Sequence, residues 1–108
     1  MTIKRNTLSD GTVRYIVFQE DTTWYAAALE LNIVESGNDP REVLLLLLEA
    51  IQGYVSSALK LKNGDTVLNQ EPDPEYEKLW ARVHGKSTTH LPPIYTFGEQ
   101  PLGTVIAS

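Results

Sequence analysis

The sequence predicts an α+β fold in which an antiparallel sheet of three to four strands packs on one main helix. Residues 12–36 are rich in valine, isoleucine, threonine and aromatic residues and are interrupted at QEDTT (19–23), which is the composition of consecutive strands. SGNDPRE (36–42) then ends the strand run, and VLLLLLEAI (43–51) follows with helical spacing. A chain of 108 residues has the size of one domain with one modest core.

Three strands are expected, near residues 12–19, 23–29 and 32–36. Upstream, LSDG (8–11) favours another hairpin turn, because an Asp-Gly pair readily adopts the positive backbone angles that such turns need. Residues 2–8 would then add a further antiparallel strand, and the sheet would begin as a meander.

The main helix has a strong start signal. Asp39 is placed as the N-cap, Pro40 at the first helical position and Glu42 at the third. At about 100° per residue, one broad apolar face holds Val43, Leu44, Leu47, Leu48, Ile51, Tyr54, Val55, Ala58 and Leu61. Leu45 and Leu46 project instead towards the polar side, where Glu49 also lies. These two leucines are not needed to cover a sheet, so we expect a second helix, another copy of the protein or a partner to cover them.

The region after the main helix is predicted to hold that second, shorter helix. KNGD (62–65) ends the main helix, and TVL (66–68) is expected to form a short strand. Asp73 and Pro74 repeat the helix-start signal, so a helix over about 74–83 should follow. Its apolar stripe, which must be buried, consists of Tyr76, Leu79, Trp80 and Val83.

The last segment, IYTFGEQPLGTVIAS (94–108), alternates weakly, and a turn is expected at GEQPLG (98–103). This pattern indicates a terminal hairpin or arm. We therefore divide the sequence into an α+β domain over residues 1–70 and a C-terminal extension over residues 71–108, which is expected to pack on the same domain.

Composition restricts the classes of function. Fourteen acidic residues against nine Lys and Arg give a net charge of -5, which favours a basic protein over nucleic acid or an anionic membrane as partner. The leucine run meets Glu49 and Gln52 well before the ~20 apolar residues of a membrane span. No apolar segment follows the charged N-terminus, so we expect a cytoplasmic protein. Without cysteine there can be no disulfide, thiolate metal site or cysteine nucleophile.

No motif predicts a catalytic site, a metal site or a cofactor. His84 and His90 are expected in a loop without carboxylates at ligand spacing. Glu20 and Asp21 adjoin at a predicted hairpin tip, where carboxylates are normally solvated. The acidic cluster of Glu71, Asp73, Glu75 and Glu77 could bind cations or a basic partner, although the start of a helix also favours acidic residues.

Both tryptophans are candidates for interface anchors, because tryptophan is enriched in binding hot spots. Trp24 lies inside a predicted strand, where core packing is the more common role. Trp80 lies on the short amphipathic helix, where core and interface are about equally expected.

The segment TWYAAALELNIVESGNDPREVLLLLLEAIQGYV (23–55) resembles the HicB-like antitoxin family. With RYIVFQED before it and LKNGDTVLNQEPDP after it, the resemblance covers residues 12–74. The matching features are an aromatic pair opening a strand, a glycine before a small polar residue, an acidic-proline helix start, and Glu-Ala leading to a tyrosine. In this sequence they are Trp24, Tyr25, Gly37, Asp39, Pro40, Glu42, Glu49, Ala50 and Tyr54. Gly37 is expected to permit the turn before the helix.

The resemblance implies a β-β-β-α-β domain like a partly degraded ribonuclease H fold, with no catalytic role of its own. It also implies a partner, HicA, a small basic toxin that cuts messenger RNA and is blocked by the antitoxin. Many full antitoxins carry a C-terminal DNA-binding unit, but residues 70–108 here hold more acidic than basic residues, so DNA binding is not expected. The family also contains solitary members.

Three hypotheses for function follow. The leading one is a non-enzymatic interaction protein, an antitoxin or a solitary relative. The second is a homo-oligomeric small-ligand or regulatory module with a pocket near Trp24, Tyr25 and Trp80. The third, a ribonuclease H type enzyme, needs clustered strand carboxylates, whereas only Glu30 lies in a predicted strand. An open sheet edge favours dimerisation, and the candidate interface residues are Leu45, Leu46, Glu49, Trp80, Glu20 and Asp21.

Overall fold

An antiparallel sheet of four strands is the centre of the fold, seen in a computed structural model that describes residues 6, 11–61, 64–85 and 91–102. The strands are β1 (Thr12–Glu20), β2 (Thr23–Ala28), β3 (Ile33–Gly37) and β4 (Ile94–Pro101). Their order across the sheet is β3-β2-β1-β4. The helices are α1 (Pro40–Leu59), the single turn α2 (Gly64–Val67) and α3 (Pro74–His84). The predicted α+β class, with an antiparallel sheet against one main helix, is confirmed.

The first three strands form the predicted meander. A two-residue turn joins β1 to β2, with Asp21 in the left-handed region at φ 56° and Glu20 paired with Thr23. β2 ends at Ala28 because Leu29–Leu31 forms a 3-10 turn, which Asn32 closes at φ 53°. The further strand expected at residues 2–8 lies outside the described residues except for Asn6, as does most of the LSDG turn.

The start of α1 is as predicted. The Asp39 carboxylate accepts hydrogen bonds from the backbone N–H groups of Arg41 (2.8 Å) and Glu42 (3.3 Å), and Pro40 is the first helical residue. These bonds satisfy two of the N–H groups that have no partner inside a helix. Asp73 caps α3 in the same way, with its carboxylate accepting from the Glu75 N–H at 2.9 Å.

Replacing Asp39 by alanine should lower the free energy of unfolding by about 1 kcal/mol, because the cap bonds are lost. Urea denaturation followed by circular dichroism measures this loss. Asp39→Asn is the matched control, since its amide oxygen can still accept both bonds and it should lose no more than about 0.3 kcal/mol. Equal losses in the two variants would show that the charge, and not the cap geometry, stabilises the start of α1.

The two helices cover opposite faces of the sheet. Side chains alternate along a strand, so Val13 and Val17 of β1 face α1 while Ile16 and Phe18 face α3. The core under α1 consists of Val13, Val17, Ala26, Ala28, Leu31, Val43, Leu47, Ile51, Val55, Ala58, Leu68 and Leu102. The smaller core under α3 consists of Ile16, Phe18, Ala27, Leu29, Leu79 and Trp80. The predicted apolar face of α1 is therefore confirmed at its five buried positions.

The prediction is wrong at one end of that face. Leu61 was expected among the buried residues, yet it is 52% exposed, because α1 ends at Leu59 and Leu61 lies beyond the helix. Tyr54, by contrast, is half-buried against the core and donates a hydrogen bond through its hydroxyl to the Val67 carbonyl at 2.7 Å. Tyr54 thus ties α1 to the segment that follows it.

Gly37 has a different role from the one expected. It is the last residue of β3, pairs with Trp24 and lies outside the positive-φ region, so it does not permit a turn. A Cβ atom at this position would lie 3.0 Å from a methyl carbon of Val43. Glycine therefore gives room for Val43 where α1 passes close to the end of β3.

The strand expected at TVL (66–68) is also wrong. Gly64–Val67 forms one helical turn, and Leu68 is fully buried in the core under α1. The Leu68 carbonyl accepts a hydrogen bond from the Asn6 side-chain amide at 3.1 Å. The place beside β1, on the side away from β2, is taken by β4 instead.

β4 replaces the terminal hairpin or arm as the fourth strand. The turn expected at GEQPLG is wrong, because Gly98 to Pro101 continue the pairing with β1 from Tyr15 to Thr12. Gly98 lies opposite Tyr15, and a Cβ atom there would come within 2.9 Å of the Tyr15 hydroxyl. This glycine makes room for a neighbouring aromatic side chain within the sheet.

Candidate functional site

Two leucines on the outer side of α1 form the most apolar exposed feature of that helix. Leu45 is 62% exposed and Leu46 is 39% exposed, whereas the next residue, Leu47, is fully buried. Glu42 and Glu49, both exposed, lie one helical turn before and after them. We call this pair of leucines the leucine patch.

The second helix does not cover the leucine patch. α3 packs on the opposite face of the sheet, against Ile16, Phe18 and Leu29, so the first of the three expected coverings is wrong. Covering by another copy of the protein or by a partner remains a prediction.

α1 also has the length and the apolar composition of a helix that could cross a membrane. A helix that covers the core of a globular protein meets the same two criteria, and a single such helix is weak evidence for a membrane. In the structure one side of α1 packs on the sheet through Val43, Leu47 and Ile51, which leaves the leucine patch on the other side.

Glu20 and Asp21 lie at the exposed tip of the β1–β2 hairpin, as predicted. Trp80 does not have the exposure that an interface anchor requires. It is only 8% exposed, and its ring is stacked on His84 at 5.5 Å and meets Phe97 edge-on at 5.9 Å. Trp80 is therefore part of the core under α3, which corrects its place among the interface candidates.

Trp24 is half-buried on the other face of the sheet. It packs against the core under α1 and meets Tyr95 of β4 at 6.4 Å in an edge-on arrangement. The core role expected for Trp24 accordingly fits better than an interface role.

An ion-pair network that the sequence did not predict joins β1, the 3-10 turn and α3. The Arg14 guanidinium donates to Glu30 at 2.6 Å and to both oxygens of Glu77 at 2.5 and 2.9 Å, and it lies 5.6 Å from the Trp80 ring centre. Glu30 also accepts the backbone N–H of Arg14 at 2.7 Å. Hydrogen bonding to Glu77, followed by Glu30, raises the pKa of Arg14 although burial opposes the rise. Arg14 thus fastens α3 to the sheet.

One signal in the sequence could have revealed this network. Arg14 shares its face of β1 with Ile16 and Phe18, and a charged residue on an apolar strand face must find a partner when that face is covered. Its partners lie far away in the sequence, so they could not be named from it. Glu30, which was expected inside a strand, lies in the 3-10 turn instead.

The histidine environment also differs from the expectation. His84 is the last residue of α3 and not a loop residue, and its ring is stacked on Trp80. His90 lies outside the described residues. Across residues 6, 11–61, 64–85 and 91–102, no three carboxylate or histidine side chains are grouped so that they could hold a metal ion.

The pocket expected near Trp24, Tyr25 and Trp80 cannot form as a single site, because adjacent residues of β2 face opposite sides of the sheet. A hollow of about 340 Å³ lies instead beside Tyr76, on the face covered by α3. Its apolar lining consists of Phe18, Tyr76, Leu79, Leu91 and Pro92, and its charged lining consists of Glu20, Glu75 and Arg82. We call it the Tyr76 hollow.

Comparisons of the chain with protein-family models, with curated proteins and with solved structures each found no match. Among the described residues, the surface features considered below are the leucine patch with its flanking carboxylates, the acidic hairpin tip and the Tyr76 hollow.

Proposed function

We propose that this chain is a non-enzymatic protein-interaction module, a HicB-like antitoxin that neutralises a small basic toxin of the HicA type by covering its active surface. The observation that carries the proposal is the leucine patch, in which Leu45 and Leu46 are exposed between Glu42 and Glu49. The net charge of -5 supports a basic partner by complementarity.

The leucine patch has the composition of a small binding centre. Large apolar side chains at the middle of an interface lose contact with water when the partner docks, and polar groups around them form the rim. Here the rim is acidic, because Glu42 and Glu49 flank the two leucines. A basic surface with an apolar centre would match both features.

The order of elements supports the resemblance only in part. Three strands followed by a long helix across the sheet agree with what the HicB-like family implies. The fourth strand differs, since it is supplied by Ile94–Pro101 after α3 and not by the residues that directly follow the main helix. Residues 71–102 therefore contribute a strand to the sheet, which a detachable DNA-binding unit would not do.

A solitary homo-oligomer is the alternative. In a two-fold contact the same patch meets itself, so Glu42 and Glu49 of one copy would approach the same carboxylates of the other. Like charges across a contact oppose association. This electrostatic argument favours a basic partner over a second copy at the leucine patch.

The proposal predicts that the double variant Leu45→Lys, Leu46→Lys binds its partner at least tenfold more weakly, because two ammonium groups replace the apolar centre and face a basic surface. The measurement is a tagged pull-down from the native host, followed by affinity measurement with the captured protein. That protein should be small, basic and toxic when expressed alone, and co-expression of the wild-type chain should remove the toxicity.

Leu59→Lys is the matched control, since Leu59 lies on the same helix and is 49% exposed but outside the patch. It should bind like the wild type. If the double variant retains full affinity, the leucine patch is not the interface. If the wild type captures only copies of itself, the homo-oligomer replaces the antitoxin.

A further inference from the structure

The Tyr76 hollow has a rigid apolar floor. Phe18 and Leu79 are each 5% exposed, and the Phe18 ring is stacked on Tyr25 at 5.6 Å and lies 6.0 Å from the ring of Tyr76. These contacts hold the aromatic rings in place before any ligand arrives. A preformed surface of this kind loses little conformational entropy on binding.

The outer wall of the hollow is fastened to the sheet as well. Leu91 and Pro92 form this wall, and the next residue, Pro93, accepts a hydrogen bond through its carbonyl from the backbone N–H of Gln19 at 2.9 Å. Leu91 is 40% exposed although it stands beside an apolar floor. A ligand stem placed between floor and wall would bury apolar surface on both sides.

The rim of the hollow is acidic. Glu20 stands at the end of β1 and Glu75 in the first turn of α3, and both carboxylates are exposed. Arg82 is the single basic residue in the described lining, two helical turns beyond Glu75, and it takes part in contacts of its own. Burial, and then the charges of Glu75 and Asp73, raise the pKa of the Tyr76 hydroxyl. The same negative potential that disfavours a phenolate would attract a cation.

We infer that the Tyr76 hollow binds an organic cation, an ammonium or guanidinium group on a short apolar stem. The stem would lie on Phe18, Tyr76 and Leu79, and the charge would lie between Glu20 and Glu75. A volume of about 340 Å³ is at the small end of the range for ligand pockets, which suits one small amine or one basic side chain. Aromatic faces add a favourable interaction with a cation at close range.

This inference does not depend on the proposed antitoxin function. The Tyr76 hollow lies on the face of the sheet covered by α3, whereas the leucine patch lies on the outer side of α1, beyond the opposite face. If binding fails at one surface, the proposal for the other surface is therefore unaffected.

The test is an NMR titration of the full chain with 2-phenylethylamine, followed through the amide and ring signals of Phe18, Tyr76 and Leu79. We expect saturable shifts at these residues. The double variant Glu20→Gln, Glu75→Gln should bind at least tenfold more weakly, because both rim charges are removed. Its matched control, Glu35→Gln with Glu99→Gln, loses the same total charge at two strand residues outside the lining of the hollow and should stay within twofold of the wild type.

Two analogues of the amine, one neutral and one anionic, test whether the positive charge of the ligand is recognised. Equal binding of 2-phenylethanol would overturn the inference, since the hollow would then select only for apolar surface. Stronger binding of phenylacetate would overturn it too, because Arg82 and not the carboxylates would then select the ligand. Loss of amine binding in both double variants would mean that total charge alone governs it, which also contradicts a site.

The source of the cation is decided by a second titration, with a blocked Gly-Arg-Gly peptide. Tighter binding of the peptide than of the free amine would assign the hollow to a basic side chain of a protein. Tighter binding of the free amine would assign it to a small metabolite with the same chemistry.

Discussion

Replacing Leu47 by alanine is expected to lower the free energy of unfolding by about 3 kcal/mol. Leu47 is fully buried in the middle of α1, against the sheet, and belongs to the larger of the two cores. The variant loses the transfer free energy of the removed carbon atoms and leaves a cavity that its neighbours fill only in part. Urea denaturation measures the difference in the free energy of unfolding. The dependence of that free energy on urea concentration should be the same in the variant and the wild type.

Leu45→Ala is the control, because it makes the same chemical change two residues earlier on the same helix. Leu45 is 62% exposed, so the loss should stay within about 0.5 kcal/mol. Similar losses for the two variants would mean that α1 is rotated about its axis relative to the structure described above. The leucine patch would then be core, and the proposed interface would fail with it.

Elements with local causes could be predicted from the sequence. The start of α1 depends on Asp39 and Pro40, and the start of α3 depends on Asp73 and Pro74, which are neighbours in the chain. The apolar face of α1 follows from helical spacing alone. For the same reason the exposure of Leu45 and Leu46, the main feature of the candidate site, could be predicted before the structure was known.

Elements with distant causes could not be predicted in this way. The residues of TVL (66–68) do not show that the place beside β1 goes to β4, a later segment of the chain. Gly98 was interpreted as part of a turn. Its actual role, making room for Tyr15 on the neighbouring strand, depends on a pairing that the sequence does not show. Gly37 suggested a turn for the same reason, since its close neighbour Val43 belongs to α1.

The parts of the candidate site on the α3 face needed the structure for a similar reason. Arg14, Glu30 and Glu77 come from three separate segments, and only the placement of α3 across β1 brings them together. The Tyr76 hollow likewise requires Phe18 of β1 and Tyr76 of α3 to meet. Periodicity showed that α3 must bury a stripe but could not show which face of the sheet would receive it.

Trp80 makes several of the packing contacts on the face of the sheet that α3 covers. Its ring contacts Phe97 of β4 and His84 of α3, and it covers the Arg14 guanidinium at 5.6 Å. A large side chain that contacts a strand, a helix and an ion pair should contribute more to the free energy of unfolding than its buried area predicts. Its removal also exposes the ion pair to water.

Trp80→Ala should therefore lower the free energy of unfolding by about 4 kcal/mol, in the range expected for a buried tryptophan. Trp80→Phe is the matched control, since it keeps a ring against Phe97 and should lose about half as much. The fluorescence of Trp24, which remains in both variants, follows the denaturation on the opposite face of the sheet. A loss below about 1 kcal/mol, together with weaker binding of the captured partner, would instead make Trp80 an interface anchor. The large loss is expected because α3 packs on β1 and β4 of the sheet through this ring.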